Sequence, residues 1–243
     1  NGGSAKNFTI SSTSILTASG TLIFDNSNNT ASTMTINAPA GGSIAAQGNV
    51  TSTNALTRTG TALINFTGGN DQLIDMVNFT AGSSTINKTG GIVTLARYLD
   101  LNNAATQSLT VATGTLNLNG NNLSLRSILT LNNNGILQLQ GLELINSTST
   151  RTFNPSSTIV FIGDGDDTAD TFPVTAVASS TSFRNLTISS TDALDVFQAT
   201  STFSILGDLR ITQGILDLNG NNLTLTSTST FTNRDTLRLQ GGE

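Results

Sequence analysis

The densest cluster of chemically able side chains is Gly163-Asp164-Gly165-Asp166-Asp167-Thr168-Ala169-Asp170. Carboxylates at Asp164, Asp166, Asp167 and Asp170 offer the hard oxygen ligands that calcium takes, and the glycines permit a tight loop around an ion. The spacing departs from an EF-hand loop and lacks its distal Glu. A plain solvated loop is the alternative, and the corresponding run Gly68-Gly69-Asn70-Asp71 is far less acidic. Both readings stay open, with calcium as the expected ion if there is one.

A second grouping joins Asp71, Asp75, Lys88, Arg97 and Asp100. These are the residue types with which β-helix polysaccharide lyases work, so a carbohydrate-active β-helix enzyme, lyase or hydrolase, is one alternative, with a cleft over this region. Against it, the chain has no His, the usual general base. Glycoside hydrolysis needs two carboxylates. The only two Glu residues, Glu143 and Glu243, sit at equivalent places of a repeat, which repetition explains better than catalysis. With no Trp, and Tyr98 as the only Tyr, aromatic platforms for sugar rings are scarce. An enzyme is not expected.

The Thr-rich runs Thr148-Ser149-Thr150 and Thr226 to Thr230 allow an ice-binding alternative, a flat Thr face that orders water. Thr is equally a good strand residue, and T-x-T does not recur at coil spacing. Asn-x-Ser/Thr triplets, among them at Asn7, Asn65, Asn78, Asn122, Asn185 and Asn222, arise by chance in a chain so rich in Asn, Ser and Thr. Lys and Arg are scattered singly, and no basic patch is visible.

The elements that must position these groups come from repetition. Gly114 to Gly141 reads GTLNLNGNNLSLRSILTLNNNGILQLQG, and it returns as GILDLNGNNLTLTSTSTFTNRDTLRLQG at Gly214 to Gly241. Inside the block, GTLNLNG at Gly114–Gly120 echoes as GILQLQG at Gly135–Gly141. Leu109, Leu116, Leu123 and Leu137 are spaced by seven or its multiples, as are Leu209, Leu216, Leu223 and Leu237. A coiled coil would share the heptad. However, each Leu belongs to an alternating triplet such as Leu116-Asn117-Leu118, and alternation puts both Leu on one face of a strand. The intervening Asn, Gly and Thr are poor helix formers.

Three sides of seven give the length of that inner echo. The fold expected is therefore all-β, a parallel β-helix (β-solenoid) with three short strands per coil of about 21 residues. Eleven or twelve coils would give a rod about 55 Å long. Asn and Gly would take the positive-φ corners, and stacked Asn side chains would hydrogen-bond along the axis. Tandem β-sandwich domains are the rival, since Asn119-Gly120 and Asn219-Gly220 also suit hairpin turns. A sandwich does not explain so short an echo within itself.

One continuous rod is expected, in three units at 6–57, 58–157 and 158–243. Asn1–Ala5 reads as a flexible lead. Lys6 to Thr13 matches Arg184 to Thr191, and Gly20-Thr21-Leu22-Ile23-Phe24-Asp25-Asn26 is the first unit's version of the GTLNLN strand. Thr61–Phe66 opens the second unit and Thr158–Phe161 the third. Ala38 to Asn49, richer in Ala and Gly, reads as a narrower coil or a loop. The eleven Phe residues read as core filling, and Pro155 and Pro173 as lying at or near turns, where a missing amide donor is tolerated. The chain begins at Asn1 and stops directly after a repeat motif, which reads as a segment of a longer array.

Composition narrows the partners. At 36% hydrophobic and 10% charged, with Leu and Ile on a strict alternation, the chain can bury a thin core. A net charge of −5 disfavours nucleic acid and anionic membranes, and no apolar run reaches membrane length. The absence of Cys removes disulfides and thiolate metal sites.

The run G-T-L-N-L-N-G-N-N-L-S-L at Gly114 to Leu125, with its counterpart around Leu216, resembles the repeats of large bacterial surface and secreted β-helix proteins. These include autotransporter passengers and adhesin-like β-strand-repeat proteins. The resemblance covers most of the chain as repeats and carries over no binding residue. It implies an exported, extracellular or cell-surface rod, structural or adhesive and non-catalytic. Such a rod would associate end to end with neighbouring repeats or copies, and would meet a surface glycan or protein ligand.

Overall fold

Alternating residues set the strands. In Leu129–Leu139 the side chains of Leu129, Leu131, Leu137 and Leu139 are buried, and Thr130 and Gln138 between them face outward. The computed structural model describes residues 6–11, 13–25, 33–38, 41–52, 57–59, 61–76, 83–101, 107–125, 127–147, 151–174 and 182–243. Among them every strand pair is parallel, from Lys6 on Met34 to Ile215 on Thr236. The chain is a β-solenoid. Asn119 and Asn219, at φ 52° and 50°, turn corners between parallel strands instead of closing hairpins.

Three sides build the coil. Side 1 stacks Ile15–Ala18, Ser43–Ala46, Leu63–Phe66, the first parts of Ser84–Leu95, Leu109–Asn117 and Leu129–Leu139, and then Arg151–Phe153. Side 2 stacks Leu22–Phe24, Val50–Ser52, Gln72–Asp75, the second parts of the same three long strands, Thr158–Phe161, Asn185–Ser189, Leu209–Gln213 and Phe231–Asn233. Side 3 holds three shorter ladders, through Lys6–Thr9, Leu99–Leu101 and Thr171–Pro173. Side 1 resumes at Ser182–Phe183, under Phe203–Ile205 and Leu223–Leu225.

Several expectations are corrected in detail. Among the described residues side 2 is ten strands deep, fewer than eleven or twelve coils, and spans about 45 Å. The coil length is not fixed. Leu109 lies under Leu129, whereas Ile15 lies under Ser43, a longer step along the chain. Two of the three strands merge in mid-rod, where Ser84–Leu95 runs around a corner as one strand. Ser43–Ala46 is a regular strand within the Ala-rich stretch. Pro173, by contrast, stands where expected, at the end of an edge strand of its ladder. Asn1–Ala5 and the sequon at Asn78 lie outside the described residues.

The core is one continuous column from Ile10 to Leu218. Phe161, Phe172 and Phe197 form a tilted and stacked trio with centroids 5.4–5.5 Å apart, and Phe183 meets Phe203 edge-on at 5.7 Å. Phe8 and Phe231, at opposite ends, are 46% and 41% exposed, so not every Phe fills the core.

Corners are tied by polar side chains that reach a neighbouring coil. Asn121 Nδ2 donates to Leu95 O at 3.1 Å and Asn221 Nδ2 to Ala199 O at 3.1 Å. Asn122 and Asn185 accept from Leu144 N and Asp208 N at 2.7 and 2.8 Å. Each satisfies backbone polarity where the ladder breaks.

The long repeat does not stack on itself. From Leu109 to Leu209 the chain takes thirteen sides, four coils and one side more. Leu109 therefore stands on side 1 and Leu209 on side 2, while Leu116 is on side 2 and Leu216 on side 3. Lys6–Thr9, on side 3, and its counterpart Asn185–Ser189, on side 2, are offset differently, whereas one further pair shows the same shift. Leu63–Phe66 is on side 1 and Thr158–Phe161 on side 2.

Candidate functional site

The acidic loop leaves side 2 after Phe161 and returns to side 3 at Thr171. Carboxylate oxygens of Asp164, Asp166 and Asp170 lie within 4.8 Å of one another, an arrangement that could hold a metal ion. Thr168 ties two of them, its hydroxyl donating to Asp166 Oδ1 at 2.6 Å and to Asp170 Oδ2 at 3.0 Å. The bonds that Asp166 accepts from the Thr168 hydroxyl and amide hold its carboxyl below its ordinary range. Asp167 is the exception among the four expected ligands. It occupies the left-handed corner at φ 64° and is not grouped with the other three.

Two further carboxylates lie behind this loop. Asp195 is fully buried, accepting from Ser190 Oγ at 2.6 Å and from Asp170 N at 3.4 Å. Burial pushes its carboxyl up; the two hydrogen bonds pull the other way, and the charges of Asp192 and Asp164 push it further up. Asp192 is 8% exposed, and its Oδ2 is buried without a hydrogen-bond partner. Gly163, at φ +67°, must be glycine, since a Cβ there would lie 1.9 Å from Asp195 Oδ2. Nothing local in the sequence announces Asp192 and Asp195, because they sit in an ordinary strand-turn segment, one coil away from the loop.

The grouping of Asp71, Asp75, Lys88, Arg97 and Asp100 does not converge. Lys88 is buried at a corner, where Nζ donates to Asn70 O and Gln72 Oε1, both at 2.6 Å. Burial lowers its pKa, and the charge of Asp71 opposes that. Asp71 accepts from Ile92 N at 2.8 Å. Asp75 pairs with Arg97 at the far end of side 2. Asp100 lies on side 3.

The Thr226 run is divided, with Ser227, Thr228 and Thr230 exposed and Thr226 and Ser229 half-buried. Thr226 Oγ1 donates to Leu206 O and Ser229 Oγ to Ile205 O, so these two hydroxyls serve the backbone. Thr148 to Thr150 lies outside the described residues.

Glu143 and Glu243 have one identical task. The Glu143 carboxylate accepts from Gly120 N, Gln140 N and Gly141 N at 3.0, 2.7 and 2.7 Å. Glu243 accepts from Gly220 N, Gln240 N and Gly241 N at 3.1, 2.7 and 2.7 Å. Each closes a corner and ties it to the coil beneath.

The fold also assembles a cleft that no local signal announced. Among the described residues, side 1 is interrupted above Arg151–Phe153, and Ser182–Phe183 pairs only upward. The gap opens as a cleft of about 280 Å³ lined by Arg151, Thr152, Phe153, Ser182, Arg184 and Leu206. Arg184 Nε donates to Phe153 O at 3.0 Å, and Arg151 donates through Nη2 to Ile145 O. Two arginines, single in the sequence, thus share one concavity with no lining carboxylate among the described residues.

No protein-family model, curated protein or solved structure matches this chain.

Proposed function

We propose that this solenoid is a non-catalytic structural and adhesive segment of an extracellular or cell-surface protein of bacterial type. In this reading it extends by stacking coil on coil. The observation that carries this is the contrast between equivalent leucines. Leu125 and Leu139 are fully buried by the coil above them, while Leu225 and Leu239 in the last coil are 36% and 60% exposed. The opposite end offers Ile15, Leu16 and Ile23 at 66%, 41% and 55%. Both ends present parallel strand edges with unpaired backbone groups, and a like edge from a neighbouring repeat or copy satisfies them head to tail.

Sedimentation at rising protein concentration tests it, alongside Phe231→Asp, which places a charge on the last side-2 strand. Growing head-to-tail species at about 0.1 mM, lost in the variant with its thermal melt retained, is expected. A strictly monomeric protein over that range overturns the assembly reading.

A calcium ion on Asp164, Asp166 and Asp170 is the second element of the proposal. It is favoured by the buried, unpartnered Oδ2 of Asp192 and the upward-pushed Asp195 behind the loop, since a nearby cation relieves both. Calorimetric titration at up to about 10 mM calcium should release heat and raise Tm, and Asp166→Asn should remove both effects. No heat and no shift in the parent protein ends this part of the reading.

A further inference from the structure

We propose that the corner at Ser190 takes an external cation in the place that the ammonium of Lys88 fills in the preceding copy of the repeat. This rests on the calcium part of the proposed function. It adds that the ion lies between two coils, with Asp192 of the upper coil as part of its site.

Stacking makes the two corners equivalent. Ile86 lies on Phe66 and under Val111, and Ile188 lies on Phe161 and under Ile211. Two residues further on stand Lys88 and Ser190, both buried. Beneath each is a glycine at positive φ, Gly68 at 88° and Gly163 at 67°. Above each is another, Gly114 at 85° and Gly214 at 94°. A Cβ on Gly114 would come within 2.7 Å of Lys88 Cβ, and one on Gly214 within 3.1 Å of Ser190 Cβ. Both side chains reach the same carbonyl of the coil below, Lys88 Nζ to Thr67 O at 3.5 Å and Ser190 Oγ to Ile162 O at 3.3 Å.

The charges at the two corners are opposite. Lys88 Nζ also donates to Asn70 O and Gln72 Oε1, and Asp71 is the single carboxylate of the Gly68–Asp71 loop, so this corner carries its own cation. Ser190 brings none. Around it are Asp164, Asp166, Asp167 and Asp170 of the loop, and Asp192 and Asp195 of the coil above. The arginines nearest in sequence are engaged elsewhere, Arg184 on Phe153 O and Arg210 on Asp208. Asp195 accepts from Ser190 Oγ at 2.6 Å, and the charges of Asp192 and Asp164 both bear on it. Asp192 Oδ2 is buried and meets no hydrogen-bond donor. Carboxylates gathered across a coil junction, one with a buried oxygen unpaired, are stabilised by positive charge. Calcium, which takes about six to eight oxygen ligands, suits a site with Asp164 common to the loop trio and to this inner group.

Thermal melts in chelator and calcium calorimetry on the whole chain test this with three variants. Ser190→Lys supplies the ammonium that the preceding copy has. It should raise the Tm of the metal-free protein by about 2–4 °C and weaken calcium binding at least about tenfold. Asp192→Asn removes one buried charge, so it should also raise the metal-free Tm and weaken calcium about tenfold; it decides alone if the lysine prevents folding. Lys88→Met should lower Tm with no recovery in calcium, because its loop offers Asp71 alone. Calcium lost in Asp166→Asn but bound unchanged by Ser190→Lys and Asp192→Asn overturns the proposal and leaves the ion at the rim of the loop. A metal-free Tm raised by neither variant also overturns it. If the parent takes up no calcium while Ser190→Lys still raises the metal-free Tm, the calcium reading fails and the need of this corner for a cation stands.

Discussion

Gly114–Glu143 and Gly214–Glu243 are nearly the same sentence written twice, yet they live in different surroundings. Locally they agree. Asn119 and Asn219 share a positive φ, 52° and 50°, and each backbone amide donates to the side chain two residues earlier, Asn117 or Asp217, at 2.8 Å. Glu143 and Glu243 each accept the same three amides. Beyond one coil they part. Glu143 is 1% exposed and Leu125 fully buried, while Glu243 lies open to solvent and Leu225 is 36% exposed. Corner geometry therefore belongs to the repeat, and burial belongs to the stack. The one-side rotation adds a second lesson. Equivalent residues of the two copies point from different sides, so a ligand reading one copy meets different neighbours at the other.

Substitutions at matched positions should separate these two contributions. The largest gap is expected for leucine. Leu125→Ala should cost about 2–5 kcal/mol, as core truncations do, and Leu225→Ala less than about 1 kcal/mol. Urea unfolding of the two variants measures this, and equal losses would mean that the last coil is as well covered as the interior.

Glutamate comes next. Glu143→Ala strands buried amide donors and should cost about 1–3 kcal/mol. Glu243→Ala should cost clearly less. The exposed partner sharpens this through pH. Its carboxyl is held below the ordinary 4.5 by bonds from the Gln240 amide first, with help from those of Gly220 and Gly241. A lowered folded-state pKa gives stabilisation that is complete above the unfolded-state value and fades as pH falls through the folded-state one. Parent and Glu243→Gln melts should therefore differ at neutral pH and converge at acid pH below 4.5. A difference that persisted into acid would remove the carboxylate from the account.

The smallest gap is expected at the corners. Asn119→Ala and Asn219→Ala each force Ala into the left-handed region, at about 1 kcal/mol, and the two losses should agree. A large disparity in their melts would show that even the corner depends on what lies above it.

Much of the rod was legible in the sequence because its cause is short-range. Alternating Leu pairs, Asn-Gly corners and the echo of GTLNLNG in GILQLQG encode strand, turn and stacking, and they recur often enough to be read. The acidic loop was legible for the same reason, as four Asp crowded between Asp164 and Asp170, though only three come together. Side-chain convergence between coils was not legible. Asp192 and Asp195 reach the loop from the next coil, Arg151 and Arg184 meet across a whole coil, and Lys88 turns out to be a buried corner tie.

Residue types and spacing by themselves determined that this chain winds in parallel coils, because backbone alternation and turn preference act within a few residues. Only the tertiary structure decided how many sides separate the two copies, and hence which side each faces. It also decided where, among the described residues, the side-1 ladder breaks, between Arg151–Phe153 and Ser182–Phe183, and which charges face one another. Those depend on how many strands the intervening chain forms and on which neighbouring strands pair, and neither is written in any short stretch of residues.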